Sequence, residues 1–218
     1  MSKKCLIAGI PESGKSTYIA ALWYSVTSYP DCSLIASENL PENTDYLDKL
    51  KFSWTSLERK RTSKDVTDKI EFNLKAKDTE DEFTVIVPDF KGETFFHVLE
   101  GESDSGLQQW LEDVDSVILM MKDFEFVKFN IIEEEQATEE TDENNTERHD
   151  ILKDFRISSM SGVAKNLLLL KYLKANMDIK KLIVCVTAWD QTKSEGSSLD
   201  YVKRSSPGLY QYIEHSFE

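Results

Sequence analysis

Gly9-Ile10-Pro11-Glu12-Ser13-Gly14-Lys15-Ser16 decides the reading of this chain. The octapeptide fits G-x-x-x-x-G-K-[ST] in full, the spacing of a phosphate loop. Each fixed position has a chemical reason. Gly9 and Gly14 leave room and backbone freedom that a Cβ would remove. Successive N–H groups, from Glu12 through Ser13, Gly14, Lys15 and Ser16 to Thr17, can then turn inward and hold phosphate oxygens. The helix expected to start near Ser16 points its positive end at the same anion. Lys15 is placed to reach the β- and γ-phosphates, and the Ser16 hydroxyl to ligate Mg²⁺. The surroundings agree. Lys4–Ala8 is a short apolar run of the kind that makes a buried strand, and Ser16–Ser28 carries Ile19, Leu22, Trp23 and Val26 at helical spacing.

Outward from the loop, strands and helices alternate. Cys32–Ser37 reads as a short strand, and Thr44–Arg61 as a helix through Tyr46, Leu47, Leu50, Trp54 and Leu57. Lys69–Lys75 alternates apolar and polar residues, a half-buried strand. With the polar turn at 77–81 and the strand Phe83–Val87 it predicts an antiparallel hairpin at a sheet edge. Residues 89–105 read as loop, Gly106–Val114 as a short helix and Ser116–Met121 as a buried strand. Ile157–Ala175 is the longest expected helix, Lys181–Val186 a strand, and Pro207–Phe217 a last helix with proline near its first turn. The alternation predicts an α/β fold, a three-layer α/β/α sandwich of the P-loop NTPase type. Its sheet is mostly parallel with one antiparallel edge hairpin, and the whole forms a single domain over residues 1–218.

Charge narrows the partners. The chain has 218 residues, 26 Lys+Arg against 40 Asp+Glu, and a net charge of −14. Nucleic acid and anionic membrane surfaces reward the opposite sign, so neither is expected as a partner. Residues 133–150, EEEQATEETDENNTERHD, hold nine of the acidic residues and one arginine. So polar a stretch cannot offset its own ordering entropy and reads as a flexible acidic insertion, separate from any anion site. No apolar run is long enough to cross a membrane and no signal peptide is legible, so membrane insertion is not expected and the cytoplasm is the expected compartment. Cys5, Cys32 and Cys185 are too scattered for a disulfide framework or a zinc site. Cys5 and Cys185 lie in apolar runs and read as small buried hydrophobes. His97, His149 and His215 are too far apart in sequence to suggest a metal site.

A phosphate loop alone names neither base nor reaction. Two further stretches do. Phe83–Val87 runs into Pro88-Asp89-Phe90-Lys91-Gly92-Glu93, where an acid at the end of an apolar strand can hold Mg²⁺ and the Gly92 N–H can meet the γ-phosphate. This is the D-x-x-G pattern of GTPases. Leu182–Val186 runs into Thr187-Ala188-Trp189-Asp190, which resembles the N/T-K-x-D stretch that reads guanine. A carboxylate there accepts hydrogen bonds from guanine N1–H and the 2-amino group, which adenine does not offer in that arrangement. Ala188 lacks the lysine stem that packs over the base, and Trp189 is the residue available to cover part of that role.

The three motifs occur in order on the expected elements. The chain resembles the translation-factor-related class of P-loop GTPases, to which Ras-like proteins belong, over about residues 3–217. Within that class it looks most like the prokaryotic double-GTPase group, which is associated with conflict and defence gene neighbourhoods and dedicated partner proteins. The resemblance implies a guanine-nucleotide switch that binds GTP and GDP with Mg²⁺, hydrolyses GTP slowly, and signals to a protein effector or companion subunit.

It also implies roles residue by residue. Thr67, three residues before Ile70, has the spacing of the switch threonine whose hydroxyl ligates Mg²⁺ beside Ser16 and Asp89, with Thr62 the next choice. Lys64 and Arg61 stand where some GTPases carry a cation that steadies phosphate charge. Glu93 stands where many members have a glutamine that orients the attacking water. A carboxylate adds negative charge beside a negative transition state, so slow turnover is expected, with His97 as another water-positioning group. Lys15, Thr67 and Glu93 are thus the expected catalytic residues. The class continues into a sixth strand and a last helix, whereas this sequence stops at Glu218, after the helix that should precede that strand. Two other readings stand beside this one. An ATP-using small kinase or ATPase would need an acceptor pocket and an arginine-bearing lid. A degenerate GTPase fold would hold nucleotide as a binding module without turnover.

Overall fold

The computed structural model describes residues 3–37, 44–57, 69–88, 105–122, 160–191 and 196–217. Within them the chain runs β1 (Lys3–Ala8), α1 (Lys15–Ser28), β2 (Leu34–Ala36), α2 (Thr44–Thr55), β3 (Lys69–Ala76), β4 (Glu82–Pro88), α3 (Ser105–Leu111), β5 (Val114–Lys122), α4 (Gly162–Asn176), β6 (Lys181–Thr187), α5 (Ser198–Ser205) and α6 (Pro207–Ser216). The strands form one sheet in the order β2-β3-β4-β1-β5-β6. β4, β1, β5 and β6 pair in parallel, and β3 is antiparallel to both of its neighbours. The expected hairpin is therefore β3–β4, with Asn73 opposite Thr84 and a 2.8 Å hydrogen bond from Thr84 Oγ1 to Asn73 Oδ1. β2 adds a short outer strand.

The central strands are buried on both faces, which is why they read as continuous apolar runs. In β1, Leu6 and Ala8 face one layer and Ile7 the other, all fully buried. On the Ile7 side lie α1 and α2. Trp23 of α1 meets Phe72 of β3 edge-on, with centroids 5.8 Å apart. Its indole N–H donates to Asp48 Oδ1 of α2 at 2.9 Å, so the one polar atom of a buried ring is satisfied. On the Leu6 side α3, α4 and α6 pack, with Leu169, Leu170 and Leu173 of α4 buried at helical spacing.

Several element bounds differ from the expectation for local reasons. α4 starts at Gly162, because the Ser161 side chain accepts the Ala164 N–H and caps the helix there. Val114, expected in the α3 helix, opens β5 instead, since Asp113 takes φ +62° and turns the chain sharply. α5 was not expected at all. It is held by a capping box in which Ser197 accepts the Asp200 N–H and Asp200 accepts the Ser197 N–H. Cys5, Cys32 and Cys185 are free and only half-buried. No helix of the described residues is long and apolar enough to cross a membrane.

Candidate functional site

The sheet order places the site. From β1 the chain crosses one face through α1, and from β4 it crosses the other face through α3 to β5. The carboxyl end of β1 therefore lies where the winding reverses, the place at which open α/β sheets hold ligands. Residues 9–16 occupy that position.

The loop's geometry follows from its two glycines. A Cβ on Gly9 would stand 2.5 Å from Ser13 Oγ and 2.7 Å from the Met120 carbonyl oxygen, so only glycine fits against β5 there. Gly14 takes φ +89° and its absent Cβ would sit 3.2 Å from the Thr187 side chain. Between them the Ser13 N–H closes a turn onto the Ile10 carbonyl at 3.2 Å, and Glu12 holds φ +63° with its side chain exposed. α1 begins immediately afterwards. Gly14 is its N-cap, no side chain caps it, and no acidic residue stands in its first turn. This contrasts with α4 and α5, whose first turns are served by Ser161 and Ser197. The leading N–H groups of α1 and the positive end of its dipole are thus left to whatever the loop encloses.

Lys15 is buried at 3% exposure, and its Nζ donates to the carbonyl oxygens of Gly9 at 2.6 Å and Ile10 at 2.9 Å. The ammonium is held across the loop it belongs to. Ser13 Oγ is buried with no hydrogen-bond partner among the described residues, a hydroxyl left unsatisfied inside the loop.

The second motif comes to the same place. Thr187 ends β6 beside Lys122 of β5. Its Oγ1 lies 2.9 Å from the Ser13 carbonyl oxygen and 3.2 Å from that of Met121. One hydroxyl proton serves one of these at a time, and the shorter contact ties β6 to the loop across 174 residues. Ala188 then takes φ +52°, and the chain enters a short 3₁₀ turn, Trp189–Gln191, that leaves Asp190 exposed. The Trp189 ring packs edge-on against Tyr201 of α5, with centroids 5.7 Å apart, so α5 braces the turn that carries Asp190. Phosphate loop and Thr187–Asp190 turn thus form one constellation at the carboxyl edge of the sheet.

The family follows from these two motifs and the frame that joins them. The chain belongs to the Double-GTPase 1 family, whose family model matches residues 6–218. No curated protein and no solved structure matches it. As a Double-GTPase 1 member the domain is of a GTPase family, and guanine nucleotide is the ligand that membership implies.

The structure brings Gly9, Glu12, Ser13, Gly14, Lys15, Ser16 and Thr17 together with Thr187, and places Asp190 in the turn that follows it. Thr67, Asp89, Gly92 and Glu93, along with Thr62, Arg61, Lys64, His97 and the acidic stretch 133–150, lie outside the described residues. Two features escaped the sequence reading. One is the pair of strained positions, Glu12 and Ala188, which are two of the five non-glycine residues with positive φ among the described residues. The other is the bracing of Trp189 by Tyr201. The S-x-x-D signature at Ser197–Asp200 was the available signal for α5, and hence for the Tyr201 that α5 carries.

Proposed function

We propose that this domain is a guanine-nucleotide switch. The phosphate loop holds the β- and γ-phosphates, and Asp190 reads the base. The observation that supports this best is the Thr187 contact to the Ser13 carbonyl oxygen, because it joins the base-side turn to the phosphate-side loop in one piece. The uncapped start of α1 and the loop carbonyls that orient Lys15 fit an anionic ligand of triphosphate shape.

In this reading the N–H groups of residues 12–17 bind phosphate oxygens and Lys15 swings its ammonium between the loop carbonyls and the β- and γ-phosphates. Ser16, Thr67 and Asp89 are the residues that would hold Mg²⁺, which supplies charge neutralisation between the phosphates when bound. Gly92 offers its N–H to the γ-phosphate. Glu93 stands in the position that orients the attacking water. Its carboxylate accepts a hydrogen bond from water but places charge of the wrong sign near the transferring group, so turnover is slow and is raised by a partner. An effector or companion protein would read the difference between the triphosphate-bound and diphosphate-bound states. The resemblance to the conflict-system GTPases makes prokaryotic defence the setting we propose.

A panel of GTP, GDP, ATP and ADP titrated with Mg²⁺ tests the reading. GTP and GDP should bind at least about tenfold more tightly than ATP and ADP, the discrimination that one well-made hydrogen bond to a charged group supplies. Equal or tighter ATP binding would remove the guanine assignment.

A further inference from the structure

The phosphate loop carries two ionisable side chains, Glu12 and Lys15, and the fold treats them oppositely. Lys15 is buried, with its Nζ held by the carbonyl oxygens of Gly9 and Ile10. Glu12 is exposed and takes φ +63°. That left-handed backbone suits glycine and is sterically costly for glutamate. A residue kept in a strained conformation at a ligand site points to a role for its side chain. The rest of the loop is arranged for anions. α1 starts at Lys15 with no side-chain cap and no acid in its first turn, so its leading N–H groups and its dipole face the loop without competition from a local carboxylate. Glu12 is the exception, a negative charge on the exposed side of a cradle built for negative charge.

We propose that Glu12 is a specificity-determining residue, an electrostatic counterweight that lowers the loop's affinity for triphosphate more than for diphosphate. This rests on the phosphate-binding reading of residues 9–16. In that reading the Glu12 N–H is the first of those that hold phosphate oxygens. A glutamate carboxylate lies only a few bonds from its own N–H, so carboxylate and phosphates stand within about one Debye length of each other, ~8–10 Å at ordinary salt. Like charges at that separation repel, and the repulsion grows with the charge of the ligand. The γ-phosphate adds negative charge, so triphosphate is opposed more strongly than diphosphate. Because the carboxylate is exposed, water and salt screen it, and the effect is modest and salt-dependent. The backbone of Glu12 thus binds the ligand while its side chain limits how tightly the ligand is held.

The test is calorimetric titration of the full chain with GTP, GDP and inorganic tripolyphosphate, each with Mg²⁺, at low and at high salt. Glu12→Gln removes the charge at nearly constant shape. It should bind GTP and tripolyphosphate about three- to tenfold more tightly than wild type, and GDP by a smaller factor. The gain should shrink at high salt, which a purely structural effect would not do. Glu12→Asp keeps the charge and should gain nothing. If Glu12→Gln does not fold, Glu12→Lys carries the same comparison, with a larger gain expected. A Glu12→Gln protein that binds GTP no more tightly than wild type would overturn the proposal. So would equal gains for GTP and GDP, a gain that salt does not reduce, or a Glu12→Asp protein that matches Glu12→Gln. Tripolyphosphate separates this inference from the guanine assignment. If the protein does not distinguish GTP from ATP yet Glu12→Gln still tightens tripolyphosphate, the base reading fails and the counterweight stands. If wild type and variants alike bind none of the three ligands, the phosphate-binding reading fails and the counterweight with it.

Discussion

The phosphate loop and the Thr187–Asp190 turn sit side by side at the carboxyl edge of the sheet, yet they are built in different ways. The loop is made by its own backbone. Gly14 at φ +89°, the turn onto Ile10 and the immediate start of α1 give it its shape with little help, and Lys15 hydrogen-bonds back onto Gly9 and Ile10. The turn is made by its neighbours. Thr187 is anchored on Ser13, Ala188 is held at φ +52° without glycine's freedom, and Trp189 leans on Tyr201 of another helix. A locally determined loop tolerates changes around it and fails when its own residues change. A turn held by distant partners fails when those partners change. This explains how the second motif can lack the usual Asn and Lys while keeping its place. The position is held by the Thr187 hydroxyl and the aromatic brace, which leaves Asp190 exposed for the base-reading role proposed above.

That contrast can be broken at four points. Lys15→Ala should have the largest effect on function, at least about a hundredfold loss of GTP affinity, because charge-assisted contacts to two phosphates go together. Calorimetric titration measures it, and wild-type affinity in a folded variant would refute the phosphate-loop assignment. Asp190→Asn should come next. It offers the base an amide in place of a carboxylate, weakening GTP by roughly tenfold to a hundredfold and favouring xanthosine triphosphate, whose 2-oxo group accepts from the new N–H. Competition between the two nucleotides reads this directly.

Gly14→Ala should cost about 1–2 kcal/mol of stability from the left-handed backbone alone, and more from the close approach of Thr187. Urea unfolding without nucleotide shows it. A smaller cost than this would mean that the loop relaxes away from Thr187. Thr187→Val should have the smallest effect, about 1 kcal/mol for one hydrogen bond lost at nearly constant shape. The decisive sign is that it weakens guanine nucleotide binding several-fold while changing the unfolding midpoint little. Equal losses in GTP and inorganic triphosphate affinity would show that Thr187 serves the loop. A loss confined to GTP would show that it serves the base-side turn.

Much of this was legible in the residues. The eight loop residues carry their conformation in their own chemistry, since glycines at two fixed positions and a lysine before the helix leave the backbone few alternatives. β1, β5 and β6 announce themselves as apolar runs, and β3 by its period of two. Legibility failed where the signal was weak or non-local. α5 has eight residues and buries only Val202, so it lacks the apolar stripe that marks α4, and only its capping box gives it away. Val114 fits a helical spacing with Leu107, Trp110 and Leu111, yet the turn at Asp113 sends it into β5, a backbone choice that periodicity does not register. Cys5 and Cys185 read as fully buried from their apolar neighbours and prove half-exposed, because burial depends on which layer covers a strand and not on the strand itself.

Sequence alone determined the phosphate loop, the alternation of strands and helices, and Asp190 as the acid after the last described strand. These are short-range properties, set by steric limits on a few dihedrals and by which side chains avoid water. The tertiary structure alone decided that Thr187 grips Ser13 and that Trp189 is braced by Tyr201. Those depend on strand order. Alternation of side chains says which face a residue takes but not which strand lies beside it, and only the packed sheet brings residues 174 positions apart into hydrogen-bond contact.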